Sequence, residues 1–153
     1  MSQTGTYILL LHLPADTSLT FPHLGKFTLP AGFYAYVGSA FGPGGLPAAF
    51  KRHLTPPASP HTPIDHLQQV AALEEIWFAA GEENRQHVWA DLLLAVPGGM
   101  NLIEGFGTDD CDCDSHLVYF DVRPDMEDFA VGVRYRFPAE TIARAYSKGA
   151  AGG

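Results

Sequence analysis

Apolar positions along the chain fall into two rhythms, short unbroken runs and wider helical spacings. Thr6 to Leu13 is almost continuously apolar and stops at Pro14, which predicts a buried strand in the middle of a sheet. A polar turn is expected at Asp16 to Ser18, a short strand at Lys26 to Leu29, and a long aromatic strand at Phe33 to Gly38 after the turn residues Pro30-Ala31-Gly32. Leu46, Ala49, Phe50 and Leu54 are spaced for a helix over 46–54, with Pro47 acceptable in its first turn. Four prolines between Thr55 and Pro63 predict a loop, and Ile64, Leu67 and Val70 a brief helical or irregular piece after it. Ala71 to Ala80 is expected to hold a strand that begins near Leu73.

Val88, Leu92 and Ala95 predict a helix over 82–96, with Glu82 and Glu83 in its first turn and Pro97-Gly98-Gly99 as its stop. Leu117 to Phe120 is expected as a strand, Gly132 to Phe137 as another, and Pro138 to Ala145 as a terminal helix. The fold class that follows is α+β. A small, mainly antiparallel central sheet is built from 6–13, 26–29, 33–38 and 73–79, with helices packed against it. Trp77 and Trp89 sit among apolar neighbours and are expected in the core.

Length and composition narrow the class. At 153 residues and 46% hydrophobic, the chain suits one domain over 1–153, large enough to bury a core without a disulfide framework or a structural metal. Lys and Arg number 9 against 17 Asp and Glu, a formal charge of −8, so no global field attracts a polyanion. Nucleic-acid contact would need a local basic patch, for which Lys51-Arg52-His53 is the compact candidate. The longest apolar run is too short to cross a bilayer, so no membrane association is expected. The only two cysteines, Cys111 and Cys113, are one residue apart, a spacing that suits reduced thiols and a cytoplasmic location.

Chemistry concentrates in two constellations. The first is Gly5-Thr6-Tyr7 on one strand, Tyr36-Val37-Gly38 on the next, and Lys51-Arg52-His53 on the helix that follows. Tyrosines on adjacent antiparallel strands can place both hydroxyls on one face, where a phenol can hydrogen-bond a water or a phosphate oxygen. Half-buried packing tyrosines fit the same pattern. The second is Cys111-x-Cys113-x-x-His116 after Asp109 and Asp110, where thiolates and an imidazole could hold a zinc ion with His61, His66 or His87 as a distant fourth ligand. A turn packed on the following strand is the alternative. His61 and His66 flank Asp65 and are placed where they could line the same cleft as His53.

The first constellation resembles the GIY-YIG nuclease superfamily, whose first strand bears Gly-x-Tyr and whose second bears Tyr-x-Gly. Gly44-Gly45-Leu46, Ile64-Asp65-His66-Leu67, Gly105-Phe106-Gly107 and Asp110-Cys111-x-Cys113-x-x-His116-Leu117 extend the likeness to an uncharacterised GIY-YIG-like domain family that also occurs fused to endonuclease III. It covers about residues 5–121, leaving 122–153 as a C-terminal extension of the same domain. The resemblance implies a divalent-metal-dependent endonuclease, a hydrolase of phosphodiesters in which magnesium or manganese steadies the phosphate. DNA is expected ahead of RNA as substrate, and a protein partner stays unspecified.

Carried over position by position, the resemblance matches Tyr7, Tyr36 and His53 to groups at the water and phosphate, a strand tyrosine and a nearby histidine helping to activate the water in that family. The family's helix arginine corresponds to Ala49 and its metal-binding glutamate to Gln86. Arg52 and Glu83 each lie one helical turn from the vacated position and are candidate substitutes, with Lys51 beside Arg52 as a phosphate contact; the alternative is that Glu82 and Glu83 are ordinary first-turn helix acids and Arg52 a solvated side chain. The alternative implied by Ala49 and Gln86 is an inactive module that keeps the cleft to bind nucleic acid, nucleotide or a protein partner.

Overall fold

The computed structural model describes residues 3–22, 24–106 and 115–148. It is an α+β fold in which β1 (Gly5–Leu13), β4 (Gly32–Ala40), β5 (Ala72–Ala80), β6 (Leu117–Phe120) and β7 (Ala143–Ser147) form an antiparallel sheet in the order β6-β4-β1-β5-β7. The apolar first strand is central, as its unbroken run requires.

Side chains alternate across this sheet, so each face collects its own core. Tyr7, Leu9, Leu11, Tyr34, Ile76 and Leu117 line one face, covered by α1 (Gly45–Leu54), α2 (Pro63–Gln68) and the hairpin of β2 (Thr17–Phe21) and β3 (Gly25–Leu29). Ile8, Leu10, Val37, Trp77 and Val118 line the other, covered by α3 (Gln86–Leu94) and α4 (Met126–Arg136). Both tryptophans are fully buried on this second face, packed with Phe129.

Four expectations change. Lys26 to Leu29 is a strand, but it pairs with Thr17–Phe21 in a separate hairpin, so a strand begins where a turn was expected. These five-residue strands alternate polar and apolar, which suits a ribbon laid on the core by Leu19, Phe21, Phe27 and Leu29 rather than a place inside the sheet. Gly132 to Phe137 is not a strand. Asp125 caps α4 through the Glu127 N–H, acids fill its first turn and arginines its last, and Phe129, Ala130 and Val133 bury one helical stripe.

Residues 138–145 do not form a helix either. The segment from Ala143 instead closes the open edge of β5, where Arg144 reaches Glu75. The helix expected over 82–96 starts only at Gln86, with no acid in its first turn. Its start is displaced because the preceding loop is tied down: the Arg85 backbone N–H donates to Thr6 Oγ1 at 3.1 Å, and the Arg85 side chain bridges Glu83 and Glu140.

Candidate active site

Register decides which side chains meet. Tyr7 lies opposite Gly38, and Leu9 opposite Tyr36, so the two tyrosines stand diagonally on the face covered by α1 and α2. Gly38 is demanded by that closeness. A Cβ there would lie 2.4 Å from Tyr7 Cζ and 2.5 Å from its hydroxyl oxygen. Gly5 is confined in the same way, since its Cβ would lie 2.4 Å from the Ala79 carbonyl oxygen. Gly38 thus leaves room for the Tyr7 ring against β4, while Gly5 lets β1 lie close to β5 and to Leu46 of α1.

The basic turn of α1 completes the group. Lys51, Arg52 and His53 end the helix, and Thr55 satisfies its last turn through the Lys51 carbonyl. The helix turns His53 inward, to 1% exposure, while Lys51 and Arg52 stay exposed. Tyr7 Oη lies 2.8 Å from His53 Nε2, and Arg52 Nη2 donates to the same nitrogen at 3.2 Å. On the far side of the ring, His53 Nδ1 is 3.1 Å from Gln68 Oε1, and Gln68 Nε2 donates to the His53 carbonyl at 2.8 Å. Phe50 packs edge-on against the Tyr7 ring.

Electrostatics follow from burial. Desolvation pushes the His53 imidazole down to about 4, helped by the Arg52 charge and opposed by Gln68 and by Asp65, so the ring is neutral at pH 7. Burial and then the neighbouring Tyr36 push the Tyr7 hydroxyl well above the ordinary phenol range, against the charge and hydrogen bond of Arg52. Tyr36 is raised by burial too, with Arg52 opposing. The site is therefore a neutral phenol–imidazole pair beside one guanidinium.

Of the residues singled out from the sequence, Tyr7, Tyr36, Arg52 and His53 converge. Lys51 is one residue away but exposed and bound to none of them. Asp65 sits within electrostatic reach of both His53 and Tyr36, its Oδ2 held by the His61 and Thr62 N–H groups at the start of α2. Gln68, one turn later on α2, is the site residue that the sequence did not single out. The i, i+3 spacing of Asp65 and Gln68 on a helix announced by Thr62-Pro63 was the available signal.

The residues matched to a metal are arranged differently from the expectation. Glu83 precedes α3 rather than standing a turn before Gln86 on it, and its carboxylate pairs with Arg85 Nη1 at 2.7 Å. Gln86 donates through Nε2 to the Val37 carbonyl at 3.0 Å, next to Gly38. The Val37 N–H donates to the His116 carbonyl, so Gln86 and His116 close the edge of β4 beyond β6. Among the described residues no three His, Cys, Asp or Glu side chains converge on a point that could hold an ion. These donors do not form a carboxylate cage for magnesium. Of the zinc trio, Cys111 and Cys113 lie outside the described residues, while His116 is buried with its ring centroid 5.9 Å from that of His87.

A family model spans most of this architecture. It matches residues 6–136, and the chain belongs to the family it describes, domain of unknown function DUF123. The match runs from β1 through α4 and contains the whole Tyr7–His53–Gln68 group. No curated protein and no solved structure matches the chain. No described helix is long and apolar enough to cross a membrane.

Proposed function

We propose that this chain is a GIY-YIG-type endonuclease that hydrolyses phosphodiester bonds in nucleic acid, DNA ahead of RNA. The observation that carries the reading is the hydrogen bond between Tyr7 Oη and His53 Nε2 with the Arg52 guanidinium on the same nitrogen. A neutral imidazole beside a phenol is a base, and the Tyr7 oxygen keeps lone pairs for a water. In the proposed step the water gives a proton to Tyr7 Oη while Tyr7 gives its own to His53 Nε2. The resulting hydroxide forms the new P–O bond, the bond to the leaving sugar oxygen breaks, and that oxygen takes a proton from solvent. Protonated His53 repels Arg52, which turns its guanidinium to the phosphate.

Magnesium or manganese belongs to this reading through the resemblance to GIY-YIG nucleases. In that class a divalent ion stabilises charge on the phosphate. The only matched ligand here is the neutral Gln86 side chain, already bonded to Val37, and none of the proton transfers above runs through a metal. The same observation, with Ala49 at the usual arginine position, favours a second reading: a non-catalytic module that binds nucleic acid, a nucleotide or a protein partner beside Arg52 and His53.

Supercoiled, branched and single-stranded DNA, incubated with magnesium or manganese, separates the two. Metal-dependent cutting by the wild type, reduced about 10²- to 10⁴-fold in Tyr7→Phe and His53→Ala, is the expected result. A folded wild-type protein that cuts none of these substrates overturns the nuclease. DNA binding weakened by Arg52→Ala and by added salt then identifies the binding module.

A further inference from the structure

We infer that Gln68 is a positioning residue that holds His53 as its Nδ1–H tautomer, keeping Nε2 a bare acceptor toward Tyr7. The inference rests on the hydrolytic reading of the same site, and it comes from donor and acceptor accounting. Gln68 Nε2 donates to the His53 backbone carbonyl at 2.8 Å, which fixes which end of the carboxamide faces the ring. The end left facing Nδ1, at 3.1 Å, is the oxygen Oε1. An amide oxygen only accepts, so Nδ1 must carry the proton.

The other side of the ring agrees independently. Arg52 has donors and no acceptor, and its Nη2 lies 3.2 Å from Nε2, so Nε2 must present a lone pair. Tyr7 Oη, 2.8 Å away, then donates to that lone pair. Two partners on opposite edges of a buried ring thus specify one tautomer.

The support for Gln68 comes from α2 itself. Thr62 and Asp65 form a reciprocal capping box, Pro63 occupies the first turn, and Ile64 and Leu67 anchor the helix in the core. The helix therefore holds the carboxamide at a fixed height over α1. A nucleophile-side group, a histidine and a third group that orients the histidine make up the arrangement by which acyl-transfer triads work, here with a neutral orienter.

Titration of this ring depends on every wall of the site. Tyr7 faces it from β1, Tyr36 from β4, Arg52 from α1, and Asp65 and Gln68 from α2. Tyr146 and Lys148, on and just after β7, line the cleft behind it. A carboxylate in place of the amide adds a negative charge at Nδ1 and favours the imidazolium.

Long-range ¹H–¹⁵N spectra of the His53 imidazole in the full chain provide the test, with Gln68→Met and Gln68→Glu beside the wild type. Wild-type His53 is expected as the Nδ1–H form at pH 7. Gln68→Met is expected to populate the Nε2–H form, and Gln68→Glu to raise the His53 midpoint. Where the wild type cuts DNA, Gln68→Met lowers kcat roughly 10²-fold or more with little change in KM, wrong-tautomer losses in histidine sites reaching about 10⁴. Gln68→Glu moves the acid limb of the pH profile upward.

A wild-type ring protonated on Nε2 at pH 7, or an unchanged tautomer in a folded Gln68→Met protein, overturns the inference. The spectra need no activity. A failed cleavage assay therefore refutes the nuclease and leaves the tautomer assignment to be decided by the ring itself. If Gln68→Met does not fold, the Gln68→Glu midpoint decides, and an unmoved midpoint overturns the inference.

Discussion

Two buried titratable groups meet opposite fates in this protein. His53, in the last turn of α1, is hydrogen-bonded to the neutral Tyr7 and Gln68 and to one exposed arginine, and burial drives it to the uncharged form against the pull of Asp65. Glu75, 6% exposed on β5, accepts from Trp77 Nε1 at 2.8 Å, from Arg144 Nε at 2.6 Å and from Arg123 Nη2 at 2.5 Å. Burial pushes its carboxyl up, but the three donors outweigh it and hold the group below the usual carboxylate range. Glu75 is satisfied and works as a clasp joining β5, β7 and the segment after β6. His53 keeps an acceptor pointed at a hydroxyl, which is how a base is stored rather than how a strand is fastened.

The contrast has a signature in pH. The His53 midpoint falls on folding, so the unfolded chain binds the extra proton. The stability cost of His53 is absent above about pH 6.5 and grows as pH drops toward about 4, reaching about 3 kcal/mol. Urea unfolding of wild type and His53→Gln between pH 7 and pH 4 is expected to show that much less acid sensitivity in the variant. Equal slopes would remove the distinction between the two groups.

Glu75 acts in a different window. Its folded midpoint lies below the unfolded value of 4.5, so its stabilisation is complete above that pH and is lost only as pH falls further. Glu75→Gln is expected to cost about 2 kcal/mol at pH 7, the scale of hydrogen bonds to a charged group, since both arginines can turn partly to water. A loss that appeared only above pH 7 would contradict the clasp.

The smallest effect sharpens the comparison by subtraction. Arg134 and Glu127 also pair, across two turns of α4, but their side chains are 47% and 60% exposed. Glu127→Gln should change stability by less than about 0.5 kcal/mol at pH 7, because solvent already screens that pair. Calorimetry of the three variants together would rank burial, rather than the presence of a salt bridge, as the determining quantity.

Legibility from the sequence followed burial in the same way. β1 and β6 were readable because nearly every side chain in them is buried, so a short unbroken apolar run could only be a core strand. Tyr7, Tyr36 and His53 were readable because glycines and a basic turn mark them. The segment 132–137 misled because Val, Tyr and Phe suit strands in isolation, whereas the Asp125 cap and the stripe from Phe129 to Val133 win once α4 meets Trp77 and Trp89. Gln68 stayed hidden because a glutamine on a short helix is ordinary, and its partner lies 15 residues back on another helix. The start of α3 was hidden for a similar reason: the Arg85 N–H is anchored 79 residues away, at Thr6.

The clasp at Glu75 has one more consequence. The family match ends at residue 136, yet among the described residues the neighbour of β5 on its outer side is β7, which begins at Ala143. Without those five residues, the outer N–H and C=O groups of β5 beside Ile76 and Trp77 would become a bare template for another chain to add to. Arg144 pairs with Glu75 along that edge, so the same short strand that fastens the fold also covers a row of backbone groups on which another chain could otherwise pair.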